Sequence, residues 1–481
     1  MGAEQDVLCT FVVDRGAPGA ETRPMSISAP RPSRSGAAAL PPAPARFATG
    51  SILRHILVMT GTSAVGLMAI FAGDFANILF LGSLRDQEVL AAAGYASTIL
   101  FFMISAGIGM AIAVTALVAP ALGARDLARA RRLSTHAALF AAVAMALMVV
   151  VIWLALAPLL GGLGAGGRTL ALARDYLRIV LPSLPLLALA MSASAVLRSA
   201  GDAQRAMYIT LVGAAAAVAL DVIFILWLGL GIHGAALSAF ISHAVMLAVG
   251  WWSVVRVHGL LERPHWPLLE HDVPLIARFT LPAVLTQLAT PAAGAVVTVA
   301  MSQFGSGAVA GWTVIARVIP IAFGAIFSLS ASVGPIIGQN LGARELGRVR
   351  EALKVALALA AAITAAAWLI LAIAAPALVS IFNATGEAAV LIAFFCRWLA
   401  PLFVFFGTLF VCNAACNTLG RPHYATALSW GRATLGTVPF VTLGSYWGAQ
   451  GVLLGHMAGG IAFGLAAVVV VQRLIARLEA A

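Results

Sequence analysis

Two acidic side chains, Asp74 and Asp221, are predicted to lie deep within apolar stretches, whereas the other Asp and Glu residues, of 18 in all, fall in tails, loops or helix ends. Each lies eight residues before the expected end of its stretch, at Gly82 and Gly229, or roughly 12 Å at 1.5 Å per helical residue. A carboxyl group removed from water and near a second one can bind and release a proton at physiological pH. Since no basic residue is in register, proton exchange is favoured over a role in helix packing alone.

The composition excludes a soluble protein and favours a membrane-spanning one. The chain has 481 residues, is 62% hydrophobic and 10% charged, and has a mean hydropathy of +1.00, whereas soluble domains are about 25% charged. Several apolar runs exceed the roughly 20 residues that a helix needs to cross a bilayer. Backbone groups in lipid must be satisfied internally, and the runs lack the alternation of a β-barrel. The fold class is therefore an all-α polytopic membrane protein.

The apolar runs predict twelve transmembrane helices. They lie near 55–82, 88–119, 135–160, 171–197, 207–229, 234–256, 275–302, 307–338, 355–381, 387–416, 424–446 and 450–472. This divides the chain into a disordered tail (1–50), an N-lobe of six helices (51–257), a linker (258–274), a C-lobe of six helices (275–473) and a short C-terminal segment (474–481).

An internal repeat indicates that the two lobes are copies of one six-helix unit. The stretch LGARDLARARRL at 122–133 recurs as LGARELGRVREA at 341–352, a displacement of 219 residues, which also relates Gly201 to Gly420. Gly231 and Gly234 match Gly448 and Gly451 with a displacement of 217. Because six is even, both copies cross the membrane in the same sense and are expected to be related by a pseudo-two-fold axis along its normal.

The basic residues predict the orientation. Of 29 Lys and Arg residues, most fall in the segments on one side of the predicted helices, so the positive-inside rule makes that side cytosolic, with both termini cytosolic. The loops near 230, 304 and 447 are then external. The net charge of +11 is scattered through these segments rather than gathered on a soluble domain, which argues against a nucleic-acid partner.

Other candidate groups are weaker. Arg317 and Arg432 lie deep in the second half, where they could cap carbonyls or face a water-filled cleft; a structural role is favoured. The three cysteines of the tenth helix lack a second ligand cluster, and the histidines of the linker more simply belong to a solvated segment, so no metal site is predicted. No nucleophile elbow, zinc-protease motif or Walker loop is present, so we predict no enzyme and no cofactor.

Six short motifs, taken in their order and spacing, give the chain a resemblance to a known family. They are the region of Asp74, VAPALGARD (118–126), LRSAGD (197–202), Leu220-Asp221 followed by GIHGAA (231–236), GPIIGQN (334–340) and NTLGRP (417–422). Over about residues 50–473 the chain resembles the multidrug and toxic compound extrusion (MATE) family, in particular its DinF-like bacterial branch. The resemblance implies two six-helix bundles in two pseudo-symmetric halves, and a central cleft that opens alternately to the two sides of the bacterial inner membrane.

The resemblance also implies a function: antiport of protons or sodium against bulky, often cationic, organic compounds, by a monomer embedded in membrane lipid. Asp74, Asp221 and Tyr176 match the family's cation-coupling residues. Candidate substrate contacts are Asn77, Gln287, Thr290, Gln339 and Asn413.

Departures from the family pattern favour protons over sodium as the coupling ion. Ala217 replaces an asparagine that relatives carry four residues before the fifth-helix aspartate. Thr290 and Thr408 stand near the places where some relatives have acidic residues in the C-lobe.

Three alternatives remain open. A flippase or exporter of a lipid-linked or polysaccharide cargo would have a charged central cavity, but Arg317 and Arg432 provide little cationic lining. A major-facilitator carrier would have a more complete basic loop motif than the one around Asp126. A passive channel is expected to repeat a filter motif, which the sequence does not show.

Overall fold

The computed structural model describes residues 45–480, and the predicted spans of the N-lobe are helices. Their cores are apolar, and Asp86, Asp126 and Asp202 cap three of them by accepting hydrogen bonds from backbone N–H groups of the first turn. We label them α1 (Ile52–Ser83), α2 (Gln87–Gly123), α3 (Leu127–Leu154), α4 (Gly167–Ser199), α5 (Ala203–Trp227) and α6 (Gly231–His258). A short helix, Leu156–Gly162, follows α3.

The C-lobe has the corresponding helices. They are α7 (Trp266–Ser302), α8 (Ser306–Ala322 and Gly324–Gly342), α9 (Leu346–Ile381), α10 (Gly386–Thr418), α11 (Pro422–Gly431, Arg432–Gly436 and Val438–Ser445) and α12 (Gly448–Glu479). Within 45–480, ten helices are long and apolar enough to span a membrane, and the number is eleven if the two parts of α8, bent by 48°, are counted as one span. The remaining predicted span is α11, which is helical but broken into shorter pieces. The chain is therefore an all-helical integral membrane protein of two halves.

The backbone repeats with the sequence. Gly201 and Gly420 both have a φ of 82°, a left-handed conformation that glycine adopts without a steric penalty. Arg125 and Arg344, also 219 positions apart, have φ values of 60° and 61°. The two lobes thus make their turns at the same positions.

The axis between the lobes passes beside Ala119 in α2 and Gly338 in α8. These residues occupy equivalent positions of the repeat and contact each other, so that a Cβ atom added to Gly338 would lie 2.7 Å from the Ala119 Cβ. Two equivalent positions can touch only where a two-fold axis runs between them. The cores of α2 and α8 therefore meet at the centre of the molecule.

The contacts on either side of this axis are reciprocal. Gly123 lies so close to the backbone oxygen of Gln339 that a Cβ atom could not be accommodated, and Gly342 lies as close to the backbone oxygen of Pro120. Position 123 corresponds to 342, and position 120 to 339. Each lobe therefore presents the same glycine to the same carbonyl of the other lobe.

These contacts close one face of the molecule, which we call the basic face: the loops 124–126, 200–202, 259–265, 343–345 and 419–421. The opposite face, formed by the loops 84–86, 163–166, 228–230, 303–305 and 383–385, is called the far face. The α2–α7 contact lies deeper, where a Cβ atom added to Gly109 would be 2.5 Å from the Val284 Cα.

Two predicted segment boundaries differ from the structure. The tail was predicted to extend to residue 50, but Phe47 is buried and residues 45–50 pack on the basic face, while residues 1–44 lie outside the described part. The linker was predicted to extend to residue 274, but α7 begins at Trp266. Pro267 is tolerated there because the first turn of a helix needs no backbone donor at that position.

Candidate functional site

Asp221 lies at the junction where α5 changes from an α-helix to a wider π-helical turn, Val222–Trp227. Such turns are rare in proteins overall, but those that occur are often found at functional sites. The Asp221 side chain is 1% exposed, and its Oδ2 atom accepts a 2.8 Å hydrogen bond from Asn77 Nδ2 of α1. The two helices are thereby joined by a polar contact inside an apolar bundle.

The second oxygen of this carboxyl group has no partner. Asp221 Oδ1 is buried and forms no hydrogen bond with the described residues. The Ser238 hydroxyl of α6 lies beside the carboxyl group as a potential donor, but it forms no hydrogen bond of ordinary geometry with the described residues. A buried polar atom is costly when unpaired, so the position is suited to a proton or a small cation.

Asp74 and Tyr176 complete the group. Asp74 precedes Asn77 by three residues on α1, so the two side chains lie on the same side of the helix. Its carboxyl group is exposed and forms no hydrogen bond or ion pair with the described residues. Tyr176 of α4 is half-buried and lies within electrostatic range of both Asp74 and Asp221. We call Asp74, Asn77, Tyr176 and Asp221 the N-lobe site.

The structure places the five candidate substrate contacts in different parts of the molecule. Asn77 belongs to the N-lobe site. Gln287 of α7 is half-buried one turn beyond Val284, on the helix face that meets α2, and the exposed Thr290 follows one turn later. Both lie on the far-face side of the contact of α7 with α2.

Gln339 is buried in the closure of the basic face rather than near the N-lobe site. Its Oε1 atom accepts a 2.9 Å hydrogen bond from the backbone N–H of Phe47, and its Nε2 donates one of 2.6 Å to the backbone oxygen of Ser199. Asn413 lies inside the C-lobe, where its Nδ2 donates a 2.9 Å hydrogen bond to Ser429 Oγ. Neither amide is near Asp74 in this conformation.

Sequence reasoning missed Ser238, and it proposed Asn77 as a cargo contact without its pairing to Asp221. Position 217 is Ala, and Asn77 provides an amide to Asp221 from another helix. The only sequence signal for Ser238 is its position four residues after Gly234, about two helical turns into α6.

The basic face also carries charged contacts between the lobes. Asp272 at the start of α7 is buried, and its Oδ2 lies 2.7 Å from His136 Nδ1 and 3.1 Å from Arg132 Nε, both on α3. These contacts tie the N-lobe to the first turns of the C-lobe.

A second charged cluster lies within the N-lobe. Asp202, before α5, forms an ion pair with Arg205 and lies 2.9 Å from His258 Nε2. Burial alone would raise the pKa of the Asp202 carboxyl group, but the hydrogen bonds from His258 and Arg205 hold it well below its ordinary value.

Comparison with a family model gives two matches in this chain. The model, described as MatE, matches residues 63–223 and 282–442. The two matches are displaced by 219 residues, the spacing of the internal repeat. The family pattern therefore occurs once in each lobe.

Individual proteins are also similar. An "FAD transporter" of Shewanella oneidensis is 26% identical over 434 residues, covering 89% of this chain and 96% of that protein. The multidrug export protein MepA of Staphylococcus aureus is 27% identical over 287 residues, covering 58% of this chain and 62% of that protein. The crystal structure of the Vibrio cholerae MATE transporter VcmN in the bent form has a TM-score of 0.84 and 25% identity, covering 89% of this chain and 98% of that one.

The family pattern in both lobes, the long similarity to named transporters and the shared fold agree with one another. They also agree with the motifs seen in the sequence. The chain belongs to the multidrug and toxic compound extrusion (MATE) family of membrane transporters.

Proposed function

We propose that the chain is a secondary active antiporter that exports organic compounds, often bulky and cationic, in exchange for protons. The observation that carries this proposal is the unpartnered Oδ1 of Asp221, buried beside Asn77, Ser238 and Tyr176. Binding of a proton there removes a buried negative charge, and its release requires access to water. Sodium is the alternative coupling ion.

Alternating access provides that exchange. With the positive-inside rule, the basic face is the cytosolic face. The Gly123 and Gly342 contacts close it, so the present conformation would load protons from the outside and release organic cargo there. In the opposite conformation the basic face would open, Asp221 would release its proton to the cytosol, and cargo would enter.

The cargo is an organic small molecule. The names of the similar proteins point to different classes, since one is a multidrug export protein and the other an FAD transporter. The match to the second covers more of this chain. We therefore propose that both a cationic dye and FAD be tested as cargo.

The test uses purified full-length protein in proteoliposomes, with efflux of ethidium and of FAD measured under a pH gradient and, separately, under a sodium gradient. We expect efflux under the pH gradient, and its loss in Asp74→Asn and Asp221→Asn. The matched control is Asp175→Asn, which changes a half-exposed aspartate next to Tyr176 and should transport normally. Normal coupled efflux in both site variants would refute the coupling site, and a response to sodium alone would replace the proton with sodium.

A further inference from the structure

A buried cation lies inside the C-lobe with no counter-ion. Arg432 of α11 is 2% exposed, its Nε atom has no hydrogen-bonding partner, and its guanidinium group forms no ion pair with the described residues. It follows the ten-residue helix Pro422–Gly431, which places it roughly 15 Å from the basic face, near the middle of a hydrocarbon layer about 30 Å thick. Arginine remains charged in proteins, so this position holds a positive charge in a medium that disfavours it.

No rearrangement of the C-lobe can supply the missing negative charge. Between residues 275 and 473 the chain has three acidic residues, Glu345, Glu351 and Glu387. Glu345 and Glu351 lie at the basic-face end of α9, and Glu387 lies at the far-face end of α10. Glu270 and Asp272 likewise lie in the first turns of α7 and Glu479 at the end of α12, so the C-lobe carboxylates lie at helix ends and none lies at the depth of Arg432. The neutralising group must therefore come from outside the lobe.

Arg432 is held in place by aromatic rings rather than by polar partners. Its Cζ atom lies 5.2 Å from the centre of the Phe406 ring, which stacks on Phe403 at 5.2 Å, and Phe403 stacks on Phe323 at 4.1 Å. A ring holds a guanidinium group by its face and leaves the N–H groups at its edge free. The stack thus orients a donor group and leaves its hydrogen bonds unused.

Other buried polar atoms in the same lobe lack partners. His456 of α12 lies within electrostatic range of Arg432, contacts Phe406 at 5.4 Å between ring centres, and has an unpartnered Nδ1. Ser429, three residues before Arg432, accepts a hydrogen bond from Asn413, whose Oδ1 is unpartnered. Unsatisfied buried polar groups in a native fold call for a bound water, ion or ligand.

We infer that the C-lobe contains an anion-binding site centred on Arg432, which takes one compact anionic group: the carboxylate or phosphate of an organic cargo, or a free inorganic anion. Guanidinium groups bind such groups through paired N–H donors. The inference rests on the proposed function only where the anion belongs to cargo. The two lobes would then bind opposite charges, because the N-lobe site has carboxylates without a basic residue, whereas the buried C-lobe site has an arginine without a carboxylate.

Anion binding is tested without transport. A negative binding result would therefore not count against the proposed coupling site, and a negative efflux result would not count against the anion site. Thermal unfolding of the purified full-length protein is followed in a sodium HEPES buffer and after replacement of part of the HEPES by chloride, phosphate, benzoate or FAD at constant ionic strength. We expect at least one of these anions to raise Tm by about 3 °C in the unaltered protein. A rise with chloride or phosphate identifies a free anion, and a rise confined to benzoate or FAD identifies a group on cargo.

The variants are Arg432→Gln and, as the matched control, Arg397→Gln, an exposed arginine of α10 in the same lobe. The rise in Tm should vanish in the first and remain in the second. An equal rise in both variants, or no rise with any anion, would refute the site.

A second measurement does not depend on the folding of a variant. Crystals of the unaltered protein are soaked in bromide, and the anomalous signal is located. A peak within about 4 Å of the Arg432 guanidinium would support the site. If no bromide peak appears there, and the Tm of the protein in solution does not respond to any of the anions, the inference is overturned.

Discussion

Asn77 on α1 donates a 2.8 Å hydrogen bond to the carboxyl group of Asp221 on α5, so that an amide of the first helix contacts the most buried acidic group of the N-lobe. The contact makes Asn77 a partner of the coupling residue. A substitution of Asn77 should therefore reduce proton coupling more than it reduces cargo binding.

We predict that Asn77→Ala reduces proton-driven efflux about tenfold. A hydrogen bond to a charged group is worth about 1.5–3 kcal/mol, and its loss leaves ionised Asp221 without a donor in an apolar bundle. Efflux rates in proteoliposomes, measured over a range of cargo concentrations, provide the test. Gln450→Ala removes an exposed amide of the C-lobe and should leave the rate unchanged. A larger change in KM than in rate would assign Asn77 to cargo binding instead.

Gly342→Ala should open the basic face. Alanine is normally favoured over glycine in a helix by about 1 kcal/mol, but here the added Cβ meets the backbone oxygen of Pro120, which cannot move aside as a side chain can. Spin labels at Arg125→Cys and Arg344→Cys, in a background without the native cysteines, report the separation of the two lobes. The population with a long separation should rise several-fold.

The matched control for this substitution is Gly347→Ala. Gly347 has no heavy atom near the position that its Cβ would take. The distance distribution should therefore stay that of the parent protein. If both substitutions gave the parent distribution, the glycine contact would not be what closes the face.

Removal of the Asp272 carboxylate should weaken the closed conformation and lower stability. Asp272→Ala leaves buried His136 without its hydrogen-bonding partner and half-buried Arg132 without its ion-pair partner, at a cost of about 2 kcal/mol. The expected decrease in Tm is about 2–4 °C. Glu270→Ala, which removes an exposed carboxylate two residues earlier on α7, should change Tm little. Equal effects of the two substitutions would argue against the interlobe contact.

Acid should destabilise the N-lobe through Asp202. Its pKa in the folded protein is lowered relative to the ordinary value of about 3.9, so its stabilising contribution is present above that pH and is lost as the pH falls through the folded-state pKa. Tm measured between pH 6 and pH 3 should decrease less steeply in Asp202→Asn than in the parent protein. Asp175→Asn should show the same dependence of Tm on pH as the parent protein. If Asp202→Asn also showed the parent dependence, groups other than Asp202 would determine the loss of stability in acid.

The sequence predicted the membrane helices and their repeat because both leave simple signals. Apolar length identifies a span, and the recurrence of LGAR at a displacement of 219 residues identifies two copies. Proline indicates where two helices break. The bend of α8 at Phe323 follows Pro320 by three residues, and the break of α11 at Thr437 precedes Pro439 by two.

For the N-lobe site, the sequence identified Asp74, Asp221 and Tyr176 as candidates, and these remain predictions for function. It could not pair Asn77 with Asp221, because the two lie 144 positions apart and the pairing depends on how α1 rotates against α5. The sequence favoured a structural role for Arg432. That the Arg432 side chain has no hydrogen-bonding or ion-pair partner among residues 45–480 could be seen only after the positions of its neighbours were known.

The reciprocal contact across the axis has an evolutionary consequence. A surface that carries both the glycine of position 123 and the carbonyl of position 120 complements itself, so two identical six-helix chains could associate in parallel through it. In such a homodimer, every charged residue of one subunit would also be present in the other. A single chain that carries both copies is free of that restriction, so one half can keep buried carboxylates and the other a lone buried arginine.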